Sequence, residues 1–351
     1  MYRYFSPALQ KIVQGGYLLS IRSVEAFHVR KAGELLYEAM EKGYRPLNED
    51  AFARFKNLPF ARQLKKYLDD YKPDVIVCTQ VYCVHIVDVI KSKGWTDVPV
   101  FGIDTDFTVQ AHWKGNDYID YIVTASKGLT GQLLVKGVPK ERILPTGIPI
   151  SPKFATKVDR REAKELLCLD PDKKTILLMG GSMGYGGTDK TLLELDALEE
   201  DFQVMVVCGS NLRMRQKLRR LNLKKKFDIY GFSYNIPLMM DAADILITKP
   251  GGISMSEGLA KGVPMILANA IPGMEDYNSD FMVGNGLALA VSKTYSIKDA
   301  VRDLLTREGF AEQIEENQKE FAHPHSTAVL CDKVLEVAEA FRAKKAEDAA
   351  E

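Results

Sequence analysis

A chain of 351 residues, 46% hydrophobic and 27% charged, is long enough for two domains that each bury a sizeable core. Its 47 Lys and Arg balance its 47 Asp and Glu, which argues against a dedicated nucleic-acid binder with its basic excess. No apolar run reaches the length of a membrane-spanning helix, and the first residues lack the apolar centre of a secretory signal, so neither is expected.

In chain order, the first 70 residues predict helices. Leu9, Ile12 and Val13, then Leu18, Leu19 and Val24, recur at near-helical spacing on either side of Gly15-Gly16. A further helical stretch, 60–71, ends before Pro73. From there the pattern changes. Short apolar runs at 74–79, 98–103 and 119–124 alternate with helical segments at 84–93 and 126–137, which predicts βα units and a parallel sheet. Pro145-Thr-Gly-Ile-Pro149 and Ser151-Pro152 form a stiff joint between domains. A second series of buried strands, at 175–179, 203–208, 244–248, 263–267 and 287–291, predicts a more complete doubly wound domain. Residues 326–342 read as an amphipathic helix, with Val329, Leu330, Val334, Leu335, Ala338 and Phe341 on one face; 344–351 read as a frayed tail. Two such domains imply a cleft, with ligands outside the carboxyl ends of the strands.

Five segments carry candidate chemistry. Gly180-Gly-Ser-Met-Gly-Tyr-Gly-Gly187 follows a predicted strand and precedes a helix at 188–200. It reads as a pyrophosphate contact or as a flexible loop; without Gly-Lys-Ser/Thr it is not a P-loop. In Thr248-Lys-Pro-Gly-Gly-Ile-Ser-Met-Ser-Glu257, a double glycine opens a helix. Ser254 and Glu257 fit a capping box, or Gly251, Gly252 and Ser254 meet a phosphate and Glu257 accepts two ribose hydroxyls. Glu275 and Asn278, in Ile271-Pro-Gly-Met-Glu-Asp-Tyr-Asn278, suit sugar hydroxyls or a plain polar loop. Asp106 follows a strand, where a carboxylate serves either as a catalytic base or as a helix cap; His112 and Trp113 beyond it suit a packed pair. The basic stretch 211–226 reads as a solvated helix face, with Leu212, Leu218 and Leu221 inward, or as a contact for anionic lipid. The scattered Cys78, Cys83, Cys168, Cys208 and Cys331 read as buried reduced thiols, and the histidines show no zinc-type spacing.

Together these segments resemble the GT-B glycosyltransferases that include bacterial processive diacylglycerol glucosyltransferases and plant monogalactosyldiacylglycerol synthases. The transferase that forms lipid II is a more distant relative. The resemblance rests on GGSMGYGG, VCGSN (207–211), the run from Tyr230 to Leu267, IPGMEDYN, PTGIPI and the TDF…W loop at 105–113. It implies two Rossmann-like domains facing a cleft: 1–147 on the acceptor and lipid side, 148–322 binding the UDP-sugar, and 323–351 as a closing helix and tail. It implies inverting transfer of a hexose to diacylglycerol or a glycosyl-diacylglycerol, with no metal or other cofactor, by a cytoplasmic protein held peripherally at the inner face of the cell membrane. In the site so implied, Phe232 lies by the uracil and Gly181 and Ser182 border the pyrophosphate. Gly251, Gly252 and Ser254 meet the phosphates, Glu257 the ribose, and Glu275 and Asn278 the sugar, with Asp106 as the catalytic carboxylate. Three positions depart from the family pattern. Met274 stands for a Gln, and Gln110 for a His. The family's opening strand with a Gly-rich loop ending in His does not occur, so the first domain is expected to lack its first βα unit. A nucleotide-sugar-binding module, or one subunit of a split transferase, is the alternative that this departure favours. The aromatic and basic residues Tyr2, Arg3, Tyr4, Phe5, Tyr17 and Arg22 suit either lipid contact or packing on the first domain.

Overall fold

The computed structural model describes residues 59–110, 113, 115–180, 187–270 and 275–350. The expectations placed on the first 58 residues, on the missing βα unit, and on Gly181, Ser182, His112 and Met274 lie outside these.

Among the described residues, the first domain runs α1 (Pro59–Tyr71), β1 (Ile76–Cys78), α2 (Val81–Ser92), β2 (Val100–Ile103), β3 (Tyr121–Val123), α3 (Thr130–Val135) and β4 (Ile143–Leu144). The strands pair in parallel in the order β1-β2-β3-β4. Parallel strands buried on both faces read as continuous apolar runs, and all four residues of β2 are buried. Gly102 in β2 leaves room for an indole, since a Cβ there would sit 3.0 Å from Trp113, which is itself buried. The two-residue strand β4 was not predicted; it is too short to show a pattern.

The second domain runs α4 (Arg160–Leu166), β5 (Lys174–Met179), α5 (Thr188–Asp196), β6 (Phe202–Val207), α6 (Leu212–Leu218), β7 (Phe227–Tyr230), α7 (Ile236–Ala242), β8 (Ile245–Thr248), α8 (Gly252–Lys261), β9 (Met265–Leu267), α9 (Asp276–Gly284), β10 (Ala288–Ala290), α10 (Ile297–Thr306) and α11 (Phe310–Phe321). Its six strands are all parallel, in the order β10-β9-β8-β5-β6-β7. The chain winds outward from β5 in one direction, then returns to β8 and winds the other way. The order therefore reverses between β5 and β8, and in such sheets the ligand crevice opens at that point. At the opposite, amino-terminal end of the sheet the buried Asp244 accepts from Lys164 Nζ (2.9 Å), Lys174 Nζ (3.1 Å) and the Thr175 N–H (2.9 Å).

Two crossings join the domains. The joint 145–151 is extended, and Gly147 takes φ +89°, with His323 packed where a Cβ would stand. Beside it the chain returns through α12 (Ser326–Asp348), whose first residues donate back to the joint: Ser326 Oγ to Ile148 O (2.9 Å) and Thr327 Oγ1 to Ile150 O (2.5 Å). Leu330 is buried, and with Val334 and Val337 it packs on Phe101, Ile103 and Val123 of the first sheet.

Three expectations are corrected. The tail is helical through Asp348, because its Ala, Lys and Glu are good helix formers and Lys345 lies 4.3 Å over the Phe341 ring. Cys168 and Cys331 are exposed, Cys83 is half-buried, and only Cys78 and Cys208 are buried; all five are free thiols. The basic stretch is helical only over Leu212–Leu218, and Leu212 is 64% exposed rather than inward. Asp196 accepts from the Lys224 and Lys225 N–H groups (2.8 and 2.9 Å) and turns the chain into β7.

Candidate active site

The glycine-rich stretch begins at Gly180, directly after β5, and the double glycine lies directly after β8. The two predicted donor loops thus flank the reversal point of the second sheet. Met179, Gly180, Thr248, Lys249 and Asn269 line a crevice between them, and Thr248 Oγ1 is buried there without a partner.

Helix α8 begins at this crevice. Gly251 is its N-cap and makes no side-chain cap bond, so the N–H groups of the first turn point outward unsatisfied by a cap. The capping-box alternative fails on position: Ser254 is the third residue of the helix, not its cap, and Glu257 lies a turn further in. Ile253, Ser254 and Glu257 are the residues of α8's first two turns that are not buried, and their spacing puts them on one face. Glu257 makes no hydrogen bond or ion pair among the described residues. Burial pushes its carboxyl up to about 7. A half-buried carboxylate with no partner among the described residues is costly, which makes Glu257 a candidate to accept from hydroxyl donors.

Beyond β7, Phe232 (60% exposed) and Tyr234 (82% exposed) meet edge to face at 5.0 Å. Arg215 of α6 reaches the same loop: its Nη1 lies 3.5 Å from where a Cβ on Gly231 would stand, and its Nε is buried without a hydrogen-bond partner. An aromatic face and an unsatisfied guanidinium at the carboxyl end of a strand suit a nucleobase and its attached phosphates.

Lys249 and Glu275 form a largely buried ion pair (3.7 Å) beside the double glycine. Glu275 Oε1 stands 3.7 Å from the position of a Gly251 Cβ, so this carboxylate does face the donor loop. The reading of the sequence missed Lys249 and Arg215. Lys249 sits inside the quoted Thr-Lys-Pro-Gly-Gly run, where a lone cation at a strand end was the available signal.

The first domain supplies Asp106, which follows β2. Residues 107–110, directly after it, are not helical, so Asp106 does not stand as the cap of an adjoining helix there. Its Oδ2 accepts from Gln110 Nε2 (3.0 Å), the position of the family's His, and its Oδ1 accepts from Asn278 Nδ2 (3.1 Å). Burial pushes this carboxyl up from the ordinary range, and the Asn278 bond draws it partly back. Asp104, fully buried behind it, is raised well above its ordinary value by burial and then by Asp106. Asn278, expected at the sugar, is fully buried in this structure, and its amide bonds the first domain at Phe107 and Asp106 as well as the Pro250 carbonyl. Gly252, expected against a phosphate, also packs across the cleft: a Cβ there would fall 1.9 Å from the Thr105 carbonyl oxygen. Asp106 and the double-glycine loop are thereby brought together, while Phe232 lies beyond β7, at the edge of the sheet.

Two parallel Rossmann-like domains with a crevice at the reversal point define a GT-B glycosyltransferase fold. The crystal structure of Acinetobacter baumannii MurG superposes with a TM-score of 0.58 at 16% identity, covering 79% of this chain and 77% of that one. The profile of monogalactosyldiacylglycerol (MGDG) synthase matches residues 1–150, and that of glycosyl transferases group 1 matches 159–321. The processive diacylglycerol beta-glucosyltransferase of Bacillus licheniformis is 29% identical over 98% of this chain and 88% of its own length. That of Bacillus cereus (strain AH187) is 30% identical over 86% and 76%. The chain belongs to the processive diacylglycerol beta-glucosyltransferase family.

Proposed function

We propose that this chain transfers a hexose from a UDP-hexose to the hydroxyl of diacylglycerol or of a glycosyl-diacylglycerol, with inversion at the anomeric carbon. The observation that carries the reading is Glu257: a half-buried carboxylate with no partner among the described residues, on the helix that opens at the double glycine. Two ribose hydroxyls donating to its two oxygens would satisfy it. Phe232 and Arg215 suit the base end, and Glu275 the sugar. Names of relatives supply the acceptor class, and family membership makes diacylglycerol the natural choice.

The chemistry follows from the placement. A lipid hydroxyl attacks the anomeric carbon, its proton passes to the Asp106 carboxylate, and the bond to the UDP oxygen breaks on the opposite face. A base with a raised pKa takes a hydroxyl proton better than an ordinary carboxylate does. Charge on the departing diphosphate falls at the amino end of α8 and near Lys249, both of which favour an anion. No helix among the described residues is long and apolar enough to cross a membrane. A lipid acceptor and a UDP-hexose donor together favour a place at the membrane surface on its cytoplasmic side, with the diphosphate charge met by α8 and Lys249 and not by a metal.

Calorimetric titration with UDP-hexose tests the donor site. The account predicts saturable binding at micromolar to millimolar Kd, loss of about tenfold in affinity in Glu257→Gln at pH 8, and no comparable binding of GDP-hexose. Equal binding of both donors, or full affinity in the variant, would contradict it.

A further inference from the structure

We infer that Asn278 is a positioning residue for Asp106: its buried amide ties the base to the donor loop and makes that register depend on the two domains being closed. The inference rests on the reading of Asp106 as the base.

Asn278 makes three bonds with one amide. Its Oδ1 accepts from the Phe107 N–H at 2.7 Å. Its Nδ2 donates to Asp106 Oδ1 at 3.1 Å and to the Pro250 carbonyl at 3.0 Å. The partners fix the orientation of the amide, because an N–H must face its oxygen and a carbonyl must face its nitrogen. Pro250 begins the double-glycine loop, and Asn278 lies in the first turn of α9, which follows the 271–274 segment. One side chain in the second domain therefore holds the donor loop through one bond and the acceptor-side loop 106–107 through two. The same interface carries the close approach of Gly252 to the Thr105 carbonyl, so the contact is continuous backbone against backbone and not a single stray bond.

The bonds divide unequally when the domains part. The bond to Pro250 lies within the second domain and survives. The bonds to Asp106 and Phe107 cross the cleft and are lost, which leaves Asp106 held by Gln110 alone. Asp106 thus gains its full orientation only in the closed arrangement, where the donor is enclosed. The side chain is zero per cent exposed in this arrangement, with both of its N–H donors committed to protein oxygens.

Among the described residues, the charged groups acting about Asp106 are Asp104 behind it and Lys136 within electrostatic reach of Asp104. Asn278 and Gln110 are the neutral donors to Asp106, and the Asn278 bond is the one that draws its carboxyl down. Removing a donor to the charged form disfavours ionisation, so the acidic limb of the rate profile must move to higher pH.

The test uses the full chain with UDP-hexose and diacylglycerol in mixed micelles, comparing Asn278→Ala with Asn278→Leu, which is close to Asn in volume and carries no donor. The expected result is a fall in kcat of about ten- to a hundredfold with the KM for UDP-hexose within about threefold. The acidic limb of kcat at saturating UDP-hexose, where Glu257 is already engaged by the donor, should rise by about one pH unit. A tenfold rise in KM for UDP-hexose, with kcat and the limb unmoved, would make Asn278 a sugar ligand and overturn the inference. A second readout needs no turnover: amide exchange of residues 104–110. The Phe107 N–H loses its acceptor in Asn278→Ala, so exchange there should quicken about tenfold while the β5–β8 strands keep their protection. Unchanged exchange at 104–110 overturns the latch even if transfer falls. Should the unsubstituted chain transfer nothing, the proposed function fails and the exchange result decides the latch by itself. If the alanine variant does not fold, Asn278→Leu carries the kinetic test, since it keeps the volume of the side chain but can donate to neither Asp106 nor Pro250.

Discussion

Glu257 ties the donor site to pH. Its carboxyl is pushed up to about 7 by burial, and it must be ionised to accept two hydroxyls. At pH 6 about a tenth of the free protein has it ionised, and at pH 8 about nine tenths. UDP-hexose affinity should therefore tighten about tenfold between those values, and Glu257→Gln should abolish the slope; calorimetry at three pH values reads both. The sign for the unliganded fold is opposite. The folded chain keeps a proton that the unfolded chain releases near pH 4.5, so this carboxyl favours the fold at low pH and the benefit fades as pH rises to about 7. The residue was legible in the sequence as one of two alternatives, a cap or a ribose ligand. Which one holds depends on where the helix starts, and Gly251 rather than Ser254 starts it. Asn278 was legible only as a polar residue in a loop beside the cleft. Its partners are 171 and 172 residues away in sequence, and local spacing contains no trace of them.

Helix α8 shows what a single element contributes. Its opening glycine is required twice: by the outward N–H groups, and by the Thr105 carbonyl, 1.9 Å from any Cβ at Gly252. Backbone cannot yield as a side-chain tip can. Gly252→Ala should hold the domains apart, with transfer reduced at least a hundredfold while the second domain still unfolds cooperatively; small-angle scattering should show a larger radius in the variant. Element types were legible wherever apolar runs were long, as in β5, β6 and β8. β7 was missed because its four residues, Phe-Asp-Ile-Tyr, are each only half-buried, and the basic stretch before it masked the break. The α10–α11 pair was also missed. Its start is set by a capping box at Ser296 and Asp299. That signal is visible in the sequence, but it is too common to act on alone.

On the scale of the whole molecule, stability and function occupy opposite ends of the second sheet. Asp244 lies at the amino end, beside the buried Lys164 (2.9 Å). Burial raises its carboxyl, but the Lys164 bond and the Thr175 N–H outweigh burial and hold it below the ordinary Asp value. This contribution is present above about pH 4 and is lost as the pH falls through the lowered value. Asp244→Ala should cost about 3–5 kcal/mol in urea unfolding, because it strands Lys164, and should leave donor affinity of the folded fraction unchanged. Helix α12 joins the ends of the chain by burying Leu330 against the first sheet, and Leu330→Ala should cost about 2–4 kcal/mol there. The amphipathic face of α12 was legible; its docking on the other domain was not, since a helix pattern names no partner. The most direct test of the central claim is hexose transfer from UDP-hexose to diacylglycerol in mixed micelles. The account predicts glycosyl-diacylglycerol with inverted anomeric configuration and loss of product in Asp106→Asn. Absence of any lipid product from a chain that binds UDP-hexose, or full activity in Asp106→Asn, would contradict it.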